Sequence, residues 1–273
     1  MAWWGKVLGG SLGFALGGPL GAALGAYIGH NFDSGLKNIE VDEGATSATQ
    51  QEMIQAAFFS ATFTIMGRLA KVDGRVSEKE IENAKVIMAR LGLNDTLKQS
   101  AIGLFQQGKE DTFDWKAALA QFARVCGRQR NLKQMFLEIL VFAAWSDGEI
   151  HPAEKEMLLV IAKQLGFSRF FLEKLIISVQ AQNYFEQQGY RRAGQSQVNT
   201  AQQLEMSYKL LGVESNATDQ DIKKAYRRLM SQHHPDKLVA KGLPEEMIKV
   251  ATEKTQEVKS AYEMIMRERK KVH

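Results

Sequence analysis

Two groups of residues in this 273-residue chain have types and spacings suited to chemistry. The first is the run His233-His234-Pro235-Asp236-Lys237. An imidazole offers a planar donor and acceptor, a carboxylate accepts hydrogen bonds or pairs with an arginine, and the proline between them fixes the backbone. As a metal or catalytic site the run is incomplete, because no further ligand, nucleophile or phosphate-binding loop accompanies it. The second group is four acids, Asp73 and Glu80, then Asp147 and Glu154. They can be read as ligands of a divalent cation, or as caps of their own helices; turn and capping chemistry already accounts for these residue types. A calcium loop of the EF-hand kind needs a denser run of oxygen ligands. The single cysteine, Cys126, lies near Phe122 and Val125 and reads as a buried small hydrophobe rather than a nucleophile. No cofactor is expected, and the chain itself is not expected to be an enzyme.

Helices must position these groups. From 51 to 182 apolar residues recur at helical spacing. Ala57, Phe58, Ala61, Ile65 and Leu69 form one stripe, and Phe136, Ile139, Leu140 and Ala143 another. About seven helices are expected here, and no strand. The four acids belong to an internal repeat. Ala70-Lys-Val-Asp73-Gly74 through Glu80 matches Ala144-Trp-Ser-Asp147-Gly148 through Glu154, and the same offset of 74 maps Leu91-Gly92-Leu93 onto Leu165-Gly166-Phe167. Each unit reads as helix, Asp-Gly turn, helix, glycine stop. Ser77 with Glu80 makes a capping box, and in the second copy His151 stands at the cap before Pro152. The repeat resembles the TerB-like helical domain of tellurite-resistance proteins, a family with acidic residues at such turns. Residues 183–203 are glutamine-rich and polar and read as a flexible linker.

Three helices are expected in 204–273: one over about 204–211, one from the Thr218 cap to about His233, and one from near Pro244 to about 268. On the second, Ile222, Ala225, Tyr226 and Leu229 share one side, while Lys223, Lys224, Arg227 and Arg228 lie about 180° away. Ala261, Tyr262 and Ile265 give the third a matching apolar face, so the two pair as an antiparallel hairpin. Four positive charges without an acid among them suit an acidic partner. The stretch Leu238–Leu243 reads as compact and partly helical. Tyr208-Lys-Leu-Leu211-Gly212-Val213, Ala225-Tyr226-Arg227, His234-Pro235-Asp236-Lys237 and Ala261-Tyr262, in that order over about 70 residues, resemble the J-domain family. The resemblance implies docking on an Hsp70 chaperone (DnaK) through Lys223, Lys224, Arg227, Arg228 and Lys237. It implies stimulation of that partner's ATP hydrolysis by a loop of His234, Pro235 and Asp236.

At the other end, residues 7–29 carry no charge. As a helix they reach about 35 Å, enough to cross a bilayer core, with Trp3, Trp4 and Tyr27 placed as interfacial anchors. The apolar run is longer than that of a cleaved signal peptide. Gly5, Gly9, Gly13, Gly17, Gly21, Gly25 and Gly29 recur at every fourth position, and Gly9 through Gly25 are candidates for close helix–helix packing and a homodimer. Pro19 should kink the helix. One lysine on each side, Lys6 and Lys37, leaves the orientation open by charge. Residues 31–50 read as a juxtamembrane linker.

The composition is 45% hydrophobic and 24% charged with a net charge of +4, which excludes wholesale disorder and gives no case for nucleic acid. One cysteine excludes a disulfide framework or multi-cysteine metal centre. Residues 204–273 hold 14 basic and 11 acidic side chains, so most of the net charge sits in the J-domain-like segment. The order of parts — anchor 1–30, TerB-like 51–182, linker 183–203, J-domain 204–273 — resembles the membrane-anchored DnaJ-like co-chaperones of bacteria. That resemblance implies a single-pass inner-membrane protein with a periplasmic N-terminus and a cytoplasmic J-domain. A stress- or metal-sensing scaffold acting through the TerB-like part is the alternative.

Overall fold

The structure is a computed structural model and describes residues 17–23, 50–72, 74, 84–89, 91–145, 148–191 and 200–272. Their regular structure is all helical, with no strand among them. In chain order the helices are α1 (Gln50–Ala70), α2 (84–89), α3 (Asp95–Lys109), α4 (Trp115–Val125), α5 (Arg130–Ala144), α6 (Pro152–Gln164) and α7 (Arg169–Arg191). Then come α8 (Thr200–Leu211), α9 (Asp219–His233), the short α10 (Pro235–Val239) and α11 (Ile248–Val272). The first seven make the all-helical middle domain.

α1 is its axis. The sequence suggests a helix with one apolar stripe, but every residue from Ile54 to Gly67 is buried. α3, α4, α5 and α6 surround it, so no face is left for water. Its buried hydroxyls turn back on the helix: Ser60, Thr62 and Thr64 each donate to the carbonyl four residues earlier, at 2.7 Å. By length and composition α1 is apolar enough to cross a membrane, but it is the core helix of this domain. Phe58, Phe122 and Phe136 meet at its centre, with ring centroids 4.3 to 6.2 Å apart. α1 and α3 cross almost backbone to backbone. A Cβ on Gly67 would strike the carbonyl of Phe105, and one on Gly108 that of Thr64.

The repeat is written into the backbone. α1 ends at Ala70 and α5 at Ala144. Leu93 donates to the Met88 carbonyl at 3.4 Å and Phe167 to that of Ala162 at 2.8 Å, around Gly92 and Gly166, whose φ angles are +74° and +84°. Both are left-handed helix stops of the Schellman type. The next helices start alike: Asn94 Oδ1 accepts from the Leu97 amide, and Ser168 Oγ from that of Phe171.

Cys126 is buried at the end of α4, and burial pushes its thiol up to about 12. Alkylation of the native protein at pH 8 should therefore be slow, rising to the rate of a free thiol only in denaturant. Rapid labelling of the folded protein would contradict this burial.

Residues 18–23 form a short helical segment against α4. Gln121 accepts from the Leu20 amide at 3.1 Å and donates to the Gly17 carbonyl at 2.7 Å. Pro19 lies within this segment, just after Gly17 and Gly18, whose φ angles are +54° and +59°; the rest of the helix in which a kink is expected lies outside the described residues. Gly9, Gly13 and Gly25 lie outside the described residues.

The linker span 183–203 is helical where it is described. α7 runs on to Arg191, and α8 begins at Thr200. Glutamine is a good helix former, and the polar run simply extends α7. α7 also joins the next domain: its Ala181 is buried with Tyr208, Leu211, Ile222, Val258 and Ile265.

Candidate docking site

α9 begins where the sequence places it. Thr218 accepts from the Asp221 amide at 3.2 Å and donates its hydroxyl to the Asp221 carboxylate at 2.7 Å. Ile222 and Ala225 are buried, and Tyr226 stacks on Tyr262 of α11 with centroids 4.3 Å apart. α11 and α9 therefore pair as expected. α8 closes the open side, and Arg269 ties the three together. It donates to the Tyr208 hydroxyl at 2.9 Å and the Ser215 carbonyl at 2.8 Å, and pairs with Asp219 at 2.7 Å.

This packing turns Lys223, Lys224, Arg227 and Arg228 to solvent. Among the described residues none of the four has an ion-pair partner. Lys237 lies close by and donates to Ser231 Oγ at 2.8 Å, which folds it back onto α9. The result is a continuous basic surface ending at the tripeptide.

The tripeptide, a loop by resemblance, stands at the joint of two helices. His234 ends α9 and caps α10, with φ −59° and ψ 122°; Pro235 and Asp236 are the first residues of that short helix. A proline at the first helical position costs no backbone hydrogen bond and favours the helix that follows. His234 is 46% exposed and Asp236 90%, with Nδ1 to Oδ2 at 3.9 Å. Leu238–Leu243 is compact and partly helical, as read. It closes on Gly242, at φ +106°, with the Leu243 amide donating to the Leu238 carbonyl. The third helix differs in its start. Pro244 precedes a 3₁₀ turn (Glu245–Met247), and α11 proper runs from Ile248 to Val272.

His233, grouped by sequence with the tripeptide, stands apart from it on the buried side of α9. It continues the spacing Ile222, Tyr226, Leu229 along the apolar face of α9, a signal available in the sequence. It is 2% exposed, and burial holds its imidazole below the usual range, hence neutral at pH 7.

Of the four acids, only Glu154 lies among the described residues. Glu154 accepts from the His151 amide at 2.9 Å, the capping role. Asp73, Glu80 and Asp147 lie outside the described residues, and among the described residues no cluster of three or more metal-ligating side chains occurs.

Three family models match the chain: the transmembrane domain of the co-chaperone DjlA over residues 1–39, the tellurite resistance protein TerB over 59–174, and the DnaJ domain over 206–273. Full-length relatives include the co-chaperone protein DjlA of Photobacterium profundum, 42% identical with 97% of this chain and 99% of that one covered. The co-chaperone protein DjlA of Coxiella burnetii is 42% identical with both chains fully covered. That of Yersinia pestis is 40% identical, with 98% and 99% covered. No solved structure matches.

Proposed function

The chain belongs to the DjlA family of J-domain co-chaperones, and on that premise we propose that it docks on a cytosolic Hsp70 and stimulates its ATP hydrolysis at the inner membrane. The observation that carries this reading is the exposed basic face of α9, which among the described residues runs without an ion-pair partner up to an exposed His234 and Asp236. Basic side chains steer an acidic surface into register. The tripeptide then presents an imidazole and a carboxylate within hydrogen-bonding reach of the docked chaperone. Pro235 and α10 hold both in place, so little conformational entropy is lost on docking. ATP belongs to the partner; the J-domain supplies only contacts.

The N-terminal segment anchors the chain in the membrane. Since Hsp70 and ATP are cytosolic, the single span would place its N-terminus in the periplasm. Within the bilayer the glycine stripe, Gly9 through Gly25, would pack two copies together, and residues 17–23 would give up the contact with Gln121.

The test is Hsp70 ATP turnover against concentration of the full chain in nanodiscs. Lys223→Glu combined with Arg227→Glu should raise the half-maximal concentration about tenfold, and raising salt should blunt the wild-type response in the same direction. An unchanged half-maximal concentration would remove the basic face from the mechanism.

A further inference from the structure

The tripeptide is bracketed on both sides by residues that the middle domain holds. After it, Leu238, Leu243, Met247 and Ala251 are buried in the core of the middle domain, not in the cluster of Tyr208, Ile222, Val258 and Ile265. Gln51 of α1 donates to the Val239 carbonyl at 3.2 Å, and Gly242 lies against Ile54 so closely that a Cβ would strike its side chain. Before it, His233 faces the middle domain, with Nε2 3.4 Å from Glu138 Oε1 on α5. Glu138 is itself buried and accepts from Gln134 at 2.9 Å. Across the same seam Lys254 of α11, also buried, donates to Gln182 of α7 at 2.7 Å, and Gln182 donates to Glu257 at 3.2 Å.

Such a seam is expensive to build. An acid, an ammonium and two amides are taken out of water, and among the described residues neither ring nitrogen of His233 finds a hydrogen bond. A purely adhesive contact would be more stable with apolar side chains in these places. Buried polar groups do something apolar ones cannot: they admit only one register. Here Glu138 meets the last residue of α9 and the Lys254–Gln182–Glu257 chain ties α11 to α7, so the register they fix is that of the joint carrying His234 and Asp236 against the middle domain. Both of those residues stay open to solvent while the seam is closed, and so does the basic face. A brake would cover them.

Resting on the Hsp70 reading above, we propose that the middle domain positions the His234-Pro235-Asp236 joint for its partner, with Glu138 as the positioning residue that acts through His233. Stimulation by the full chain then depends on residues that never touch the chaperone.

The test uses the full chain in nanodiscs with two readouts. Amide hydrogen exchange over 238–251 reports whether the seam is closed, and Hsp70 turnover reports function. Glu138→Lys puts a second ammonium into the seam with Lys254. It should raise exchange over 238–251, leave the amides of 258–265 protected, and lower maximal stimulation about fivefold. The half-maximal concentration should stay within about twofold, because the basic face is untouched. Adding Lys254→Glu restores opposite charges and should recover both readouts. Ile54→Ala removes the side chain that seats Gly242, opens the seam from α1 without burying a charge, and should reproduce the loss if Glu138→Lys fails to fold. Open seams with unchanged stimulation would overturn the proposal, and so would increased stimulation, which would make the middle domain a brake. Wild-type turnover no higher than that of His234→Gln would instead be failure of the Hsp70 reading itself.

Discussion

With His234 replaced by glutamine, Hsp70 turnover in the presence of the full chain is expected to fall back to its basal rate while helix content stays the same. The structure makes this substitution unusually clean. The imidazole is half exposed, makes no capping hydrogen bond, and stands 3.9 Å from the Asp236 carboxylate. What α10 needs from this position is the backbone carbonyl, which accepts from the Leu238 amide at 3.1 Å and which glutamine keeps. An exposed side chain of this kind carries within about 0.5 kcal/mol of stability, so the thermal midpoint should move by no more than about 2 °C. Lost stimulation would therefore report recognition rather than folding. Turnover that stays at the wild-type level would sink the Hsp70 reading. His233, one residue earlier, gives no such separation, because its ring is buried in the seam with the middle domain.

The second large effect is on stability. Gly67→Ala and Gly108→Ala are each expected to lower the unfolding free energy by about 3 kcal/mol, with a fall in midpoint of about 6 to 12 °C. On propensity alone the sign would be opposite, since alanine for glycine in a helix interior stabilises by about 1 kcal/mol. The obstacle is the neighbour. At both positions the added methyl would meet a main-chain carbonyl, Phe105 or Thr64, and a carbonyl cannot rotate aside as a side-chain tip can. α1 and α3 would have to separate, loosening Phe105 and Leu104 in the core. Thermal or urea unfolding of the two variants decides it, and an unchanged or raised midpoint would mean that the helices do not cross this closely.

Much of the fold is legible in the sequence, because most of it is local. The repeat at an offset of 74 carries its own turns, caps and glycine stops, and those interactions close within a few residues. The two faces of α9 follow from periodicity alone. What periodicity does not reveal is who shares a core with whom. α1 has an apolar stripe by pattern yet is buried on every side, since nothing in its own residues counts the helices around it. The run after Gln182 is polar enough to suggest a linker, but polarity does not distinguish a coil from an exposed helix, and α7 continues to Arg191. At the site, Lys223, Lys224, Arg227 and Arg228 were readable as one face. The start of α10 at Pro235 was not, because the proline that fixes a loop also opens a helix. Glu138 was beyond reach: its significance lies in His233, distant in sequence and adjacent in space.

α7 is a helix held in both cores, with Ala181 among the residues of the J-domain, Ser178 donating to the Leu210 carbonyl at 3.5 Å and Leu172 in the middle domain. A flexible chain of some twenty residues would let its cargo wander over about 25 Å, and capture would then be a matter of local concentration. A shared rod removes that swing. The J-domain has a heading instead of a search volume, and a chaperone that engages it is delivered at one angle to the middle domain.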